Sequence, residues 1–347
     1  MKSLRDISWQ VTEEVYRDDK ALSYSTLSTF QRLGFNGLDK LFDRKESPSL
    51  TFGSAVDSII TGGQEEFNSR FFVGAFPEMS DALEKIVTDC FNTNHIVYKT
   101  LSEIPDSKII EIAANYNYQN NWKPETRAKV IKEKGEEFYN LLYLSEGKTV
   151  ISDEIYADVL NCVRALRESD STKYYFAPND PFNNTIERFY QLKFKTELNG
   201  VTYRCMADLL IVDHHNKVIT PVDLKTSSHT EWDFYRSFVD WNYQIQARLY
   251  WRIIRKIMDN DDYFKDFTLA DYKFIVVNKQ TLIPLVWEFK DCTLKGDLLY
   301  GNNNDITMPD PEELGKQLSR YLNSTPKVPD GIKETEPNNL VDWLNTL

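Results

Sequence analysis

Between Val201 and Val212 the chain reads VTYRCMADLLIV, apolar almost throughout, with one acid, Asp208, set inside the run. A turn near His214–Lys217 and a second β-rich stretch, Val218 to Thr226, follow it, which predicts a hairpin of two strands. Antiparallel pairing through that turn brings Asp208 opposite position 222 or 223. The second strand ends in Asp223-Leu224-Lys225, and because side chains alternate with a period of two, Asp223 and Lys225 share a face. A helix comes next, in which Tyr243, Gln246 and Tyr250 recur at three and four residues and lie on one side.

Other segments give weaker but consistent patterns. Asn184–Lys195 alternates, with Ile186, Arg188, Tyr190, Leu192 and Phe194 on one side of a strand, and Asn199-Gly200 supplies a tight turn into the hairpin. Tyr272–Val277 and Leu282–Phe289 predict a further strand pair inside the sheet. Leu22–Phe30 is a helix start capped by Ser23 or Ser25. Leu50–Ile60 is another, where Gly53, Ser54 and Ala55 permit close backbone approach. Four helical patterns fill the middle, Ala82–Phe91, Lys108–Tyr118, Lys123–Leu144 and Asp153–Glu168, the last the cleanest. The expectation is an α/β protein with one domain over 1–322, a helical elaboration over about 76–181 and core strands and helix over 184–290. A tail at 323–347, punctuated by Pro326, Pro329 and Pro337, ends in a short apolar helix.

Composition narrows the class. The 347 residues are 41% hydrophobic and 27% charged, as in an ordinary globular chain. No apolar run reaches the roughly 18–20 residues of a membrane span and the first ten residues lack a signal peptide's apolar stretch, so no membrane association and a cytoplasmic location are expected. Cys90, Cys162, Cys205 and Cys292 are far apart with no C-x-x-C, which argues against zinc and an iron–sulfur cluster. A formal charge of −12 excludes a general nucleic-acid coating protein, though not one with its basic residues in one groove. Two clusters stand out: Lys123, Arg127, Lys129, Lys132 and Lys134, and then Arg248, Arg252, Arg255 and Lys256; a solvated helix face is the plainer reading of each.

The hairpin carries the candidate chemistry. Buried carboxylates cost several kcal/mol without a partner, and a divalent cation is the simplest one. Mg2+ takes hard oxygen ligands, commonly one or two carboxylates with water and phosphate oxygens, a number that Asp208 and Asp223 supply. An ammonium beside them suits a reaction at phosphate. On their own, Asp223 and Lys225 are equally a same-face ion pair on a surface hairpin.

Asp208, then Asp223-Leu224-Lys225, then Gln246-Ala247-Arg248-Leu249-Tyr250 together resemble the motifs of the PD-(D/E)XK nuclease superfamily, in the branch of RecE-like and RecB-like exonucleases that holds exodeoxyribonuclease VIII and lambda exonuclease. The Ser-rich start at Ser23 is similar to the opening of RecE-like chains. Gly53-Ser54-Ala55-Val56-Asp57 is similar to the family's Gly-Thr-Ala-x-His motif, with Asp57 where the metal-ligating histidine stands. A glutamate on the branch's first strand is matched by Glu187. The match covers about residues 20–75 and 184–290 as scattered motifs.

That resemblance implies a restriction-endonuclease-like core, a central mixed β-sheet flanked by helices, with a helical insertion. It implies Mg2+, with Mn2+ as a substitute, held by Asp57, Asp208, Asp223 and the Leu224 carbonyl, with Glu187 as a further carboxylate behind the first ion or on a second. Lys225 is the implied activating group, and Gln246 and Tyr250 face the site. The implied activity is exonucleolytic digestion of linear double-stranded DNA from 5′ ends, in phage-type recombination beside a single-strand annealing protein, by a ring-shaped homo-oligomer in the bacterial host cytoplasm. No P-loop is present, so ATP is not required. Two rivals share these residues: a structure-specific or single-strand endonuclease, and a DNA-binding or assembly protein without catalysis, the latter made conceivable by Asp57 in place of histidine.

Overall fold

The computed structural model describes residues 2–43, 47–75, 77–301 and 306–323. The predicted tail lies, from 324 onward, outside the described residues. In chain order the elements are α1 (Glu13–Asp18), α2 (Tyr24–Leu33), α3 (Pro48–Arg70), β1 (Phe71–Val73), α4 (Asp81–Asn94), α5 (Asp106–Ala114), α6 (Pro124–Ser145), β2 (Thr149–Ile151) and α7 (Asp153–Glu168). There follow β3 (Ile186–Leu198), β4 (Val201–Asp213), β5 (Val218–Ser227), α8 (Phe234–Asp240), α9 (Tyr243–Asp259), β6 (Thr268–Leu269), β7 (Tyr272–Asn278), β8 (Leu285–Phe289), β9 (Leu298–Tyr300), β10 (Ile306–Met308) and α10 (Pro311–Asn323). No helix among the described residues is long and apolar enough to cross a membrane.

The main sheet is mixed, as expected. Its order is β3-β4-β5-β7-β8, with β6 also on β5. β3, β4 and β5 form an antiparallel meander, β7 lies parallel to β5, and β8 is antiparallel to β7. The β3–β4 turn is set by Asn199 and Gly200, both at positive φ (51° and 82°), the backbone that a two-residue hairpin requires. Helices cover both faces. Ile245, Leu249, Ile253 and Ile254 of α9 bury one face with Phe194, Tyr203, Cys205 and Phe274 of the strands. Val56, Ile59 and Ile60 of α3 and Val159, Cys162 and Leu166 of α7 cover the other, against Leu209, Ile211, Val222 and Ile275.

The middle of the chain departs from a uniform helical elaboration. Leu83, Ile86, Val87, Cys90, Ile131, Phe138 and Tyr139 of α4 and α6 close a core of their own with Leu101 and Ile109. This unit is inserted between β1 and β2, which pair in parallel from Phe71↔Thr149 to Val73↔Ile151. α7 instead belongs to the main sheet, because its apolar stripe faces α3 and the strands.

Two further expectations are corrected. β3 does not keep one face: Ile186 and Tyr190 pack on the α3/α7 side, but Leu192 and Phe194 on the α9 side. The alternation slips at Gln191, whose φ is +53°. The second basic cluster is no solvated face either. Arg248 is fully buried and donates to the Leu294, Gly296 and Pro309 carbonyls and to Asp310. Arg252 binds Asp310 and Glu312, and Arg255 binds the Phe267 carbonyl and Asp259. Arg248 and Arg252 fasten the chain between Leu294 and α10 onto α9, and Arg255 ties α9 to the loop that follows it.

Candidate active site

The β4–β5 ladder stops at Leu209↔Val222. One residue further, where the register places Asp208 across from Asp223, the strands part, and β5 carries on beside β7 to Ser227↔Asn278. Asp208 takes over from the lost ladder: its Oδ2 accepts the Leu224 backbone N–H at 3.0 Å. Strand divergence thus leaves acids in a gap that side chains, not backbone, must fill.

Val222 and Leu224 pack on the α3/α7 side, so the period of two turns Asp223 and Lys225 toward α9. Asp223 is buried. Lys225 Nζ stands 2.5 Å from its Oδ2, and Gln246 Nε2 of α9 donates to its Oδ1 at 2.5 Å. The ammonium also lies 4.8 Å from the centre of the Tyr243 ring, a cation–π contact. Burial would depress the Lys225 ammonium, but Asp223, then Tyr243 and Asp208, outweigh it and hold its pKa above the ordinary lysine value. The same neighbours that crowd the acids thus favour the charged form of Lys225.

Asp57 reaches the gap from the opposite face. α3 starts at Pro48 with Ser47 as its N-cap, earlier than the small residues imply, and approaches β5 closely. A Cβ on Gly53 would lie 3.0 Å from Thr226 Oγ1, so a larger residue there would have to displace that hydroxyl. One turn on, both carboxylate oxygens of Asp57 accept from Gln191 Nε2, at 3.1 and 3.0 Å. The same nitrogen lies 3.5 Å from Asp208 Oδ1. Burial, opposed by Arg70 and reinforced by the charge of Asp223, pushes the Asp57 pKa up to about 6. Burial, then the charges of Asp223 and Asp57, pushes Asp208 well above the carboxylate range.

Asp223 therefore lies close enough to Asp57 and Asp208 to oppose their ionisation, and Asp57 close enough to oppose that of Asp208. Among the described residues, however, no three His, Cys, Asp or Glu side chains already stand in a common metal-ligating arrangement. Gln191 lies between Asp57 and Asp208, and Lys225 lies against Asp223. The atoms present are hard oxygen donors of the kind a divalent cation takes: the carboxylates and, beside them, two buried amide oxygens, Gln191 Oε1 and Gln246 Oε1, with no hydrogen-bond partner.

Tyr250 is buried at 6.5 Å, centre to centre, from the Tyr272 ring. Burial first, then charges that include Asp223 and Asp208, holds its hydroxyl far above the usual phenol range. Glu187 is not brought to the site. It pairs with Val212 near the other end of the β3–β4 ladder, and its Oε2 meets His214 Nε2 at 2.7 Å. Sequence reasoning missed Gln191 and Tyr24, and placed Tyr243 only on the helix side that it shares with Gln246 and Tyr250. The Tyr24 hydroxyl donates to the Trp241 carbonyl at 2.6 Å, which seats α2 beside the site. A glutamine on a strand carries no local signal of such a role.

The fold is a mixed α/β sandwich of helices around a sheet, with an acid–lysine site where two of its strands separate. No protein-family model matches the chain, and no curated protein matches it. Among solved structures, a chain from Eubacterium rectale named "Putative exonuclease" aligns over 90% of this chain and 86% of its own, at 15% identity and a TM-score of 0.43.

Proposed function

We propose that this chain is a metal-dependent nuclease that hydrolyses phosphodiester bonds in linear double-stranded DNA, as an exonuclease working from 5′ ends without ATP. The observation that supports this most is the Asp223–Lys225 pair at the strand divergence, with Asp208 clasping the Leu224 N–H and Asp57 arriving from α3. An ion pair made only for stability gains little from two more acids pressed against it.

Asp57, Asp208 and Asp223, with the Leu224 carbonyl, would hold Mg2+ or Mn2+. When bound, the cation supplies concentrated positive charge to the scissile phosphate and the attacking water. The protein's own residues do the rest. Lys225 presents a permanent ammonium to charge developing on phosphoryl oxygens. Gln246 and Lys225 fix Asp223, the Leu224 N–H fixes Asp208, and Gln191 fixes Asp57, so the carboxylates are preorganised. The Tyr243 ring covers one side of the ammonium. The wider setting, recombination beside a single-strand annealing protein by a ring-shaped homo-oligomer of phage type, follows from the resemblance alone.

One observation favours a second reading. The Gln191 amide between Asp57 and Asp208 suits a DNA-binding protein that has lost catalysis. End-labelled linear duplex and covalently closed circles, incubated in Mg2+ with wild type and Lys225→Ala, separate the cases. Release of mononucleotides from linear DNA alone, lost in the variant, is the expected result. Cutting of circles points to an endonuclease, and intact DNA in both Mg2+ and Mn2+ overturns the enzyme.

A further inference from the structure

A cleft of about 470 Å3 opens between α3 and the turn that brings the helical insertion back to β2. α3 supplies Ser54, Ser69 and Arg70 from its two ends, which meet because the helix bends at Gly63, φ +74°. The returning turn supplies Glu146, Lys148 and Thr149. Ser54 and Asp57 are three residues apart on α3 and so are neighbours on its surface. The cleft's lining therefore comes within one helix step of Asp57.

Its chemistry is that of an anion seat. Arg70 donates one hydrogen bond among the described residues, Nη2 to Ser54 Oγ at 2.8 Å, and makes a long ion pair with Glu66, Nη1 to Oε1 at 3.9 Å. A guanidinium has five N–H donors, so most remain for a ligand. Lys148 shares the lining with it, as do the hydroxyls of Thr51, Ser54, Ser69 and Thr149 and one acid, Glu146. Two cations and several hydroxyls match phosphate oxygens. In a chain of net charge −12, a cationic cleft that opens next to the acids stands out as a backbone contact.

We infer that this cleft is a phosphate subsite on the DNA path, in which Arg70 and Lys148 hold a backbone phosphate flanking the scissile bond. The inference rests on the nuclease reading and deepens it. It also gives the helical insertion a role, because the insertion's exit turn forms one wall of the track.

Fluorescence anisotropy of a labelled duplex with the full chain in EDTA, where cleavage is off, tests it. Lys148→Ala is expected to weaken duplex binding about tenfold and to reduce the slope of log K against log salt by about one. Lys148→Glu should weaken it further, and Arg70→Lys should keep most of the affinity that Arg70→Ala loses. Should Arg70→Ala fail to fold, the two Lys148 variants and Arg70→Lys decide the matter. Lys148 variants with wild-type affinity and slope overturn the subsite and leave the nuclease reading standing if Mg2+ still drives cleavage. A loss confined to mononucleotide binding, with duplex binding intact, also overturns it. A wild type that neither binds nor cleaves DNA removes both.

Discussion

Gln246 of α9 and Asp223 of β5 are joined by a buried hydrogen bond of 2.5 Å, on the oxygen that Lys225 does not use. Helix and strand thus meet through one carboxylate, and the amide sets the direction in which Asp223 points. Residues that orient a metal-ligating group typically change metal affinity or activity by about 10–100-fold when lost. Gln246→Ala is therefore expected to lower DNA cleavage by that factor and to weaken Mg2+ binding, measured by titration calorimetry, with the circular dichroism spectrum unchanged. A variant with wild-type Mg2+ affinity would show that the bond serves packing only.

Gln191 bears on the opposite pair. It donates to both oxygens of Asp57 and lies near Asp208, so Gln191→Leu leaves Asp57 without this donor and Asp208 with the Leu224 N–H. A buried group stripped of its partner costs about 1–3 kcal/mol, and urea unfolding in EDTA should show a loss of that size. Gln191→Glu should be less stable still in EDTA, yet gain more from added Mg2+ than wild type gains, because it brings another oxygen anion to the cation. Equal Mg2+ stabilisation of all three proteins would remove Gln191 from the site.

How far these relationships can be seen in the sequence depends on their range. Asp223 and Lys225 were legible because two residues of strand fix their common side. Asp153–Glu168 was legible to the residue because its stripe repeats through four turns and Ser152 caps it. Gln191 was not, since the slip in alternation that turns it toward Asp57 comes from the distortion at the Gln191–Asp208 step. Nor was the fate of Arg248 and Arg252, whose partners are Asp310 and carbonyls more than 40 residues later. A basic stripe on a helix looks the same whether water or a distant carboxylate answers it. Glu187 shows the converse, a strand acid at a matching motif position that the fold commits to His214.

The clamp on α9 allows a stability prediction with a pH signature. Arg248 Nη2 meets Asp310 Oδ2 at 2.9 Å and Arg252 Nη2 meets the same oxygen at 3.0 Å. Breaking a buried pair by removing one partner costs about 3–5 kcal/mol, because the other charge is left uncompensated. Arg248→Met should lose stability on that scale, whereas Arg248→Met with Asp310→Leu should recover part of it, since both charges are then gone. Burial pulls the Asp310 pKa upward, but Arg252, with Arg248 behind it, prevails and holds it below its ordinary value. An acid stabilised in its charged form contributes fully above its unfolded pKa of about 3.9 and loses that contribution as pH falls through the lower folded value. The difference in melting temperature between wild type and Asp310→Asn should therefore stay constant from pH 7 to about 5 and narrow below about 4. A gap that widens with acid would mean that Asp310 is held neutral and that the arginines answer to the carbonyls alone.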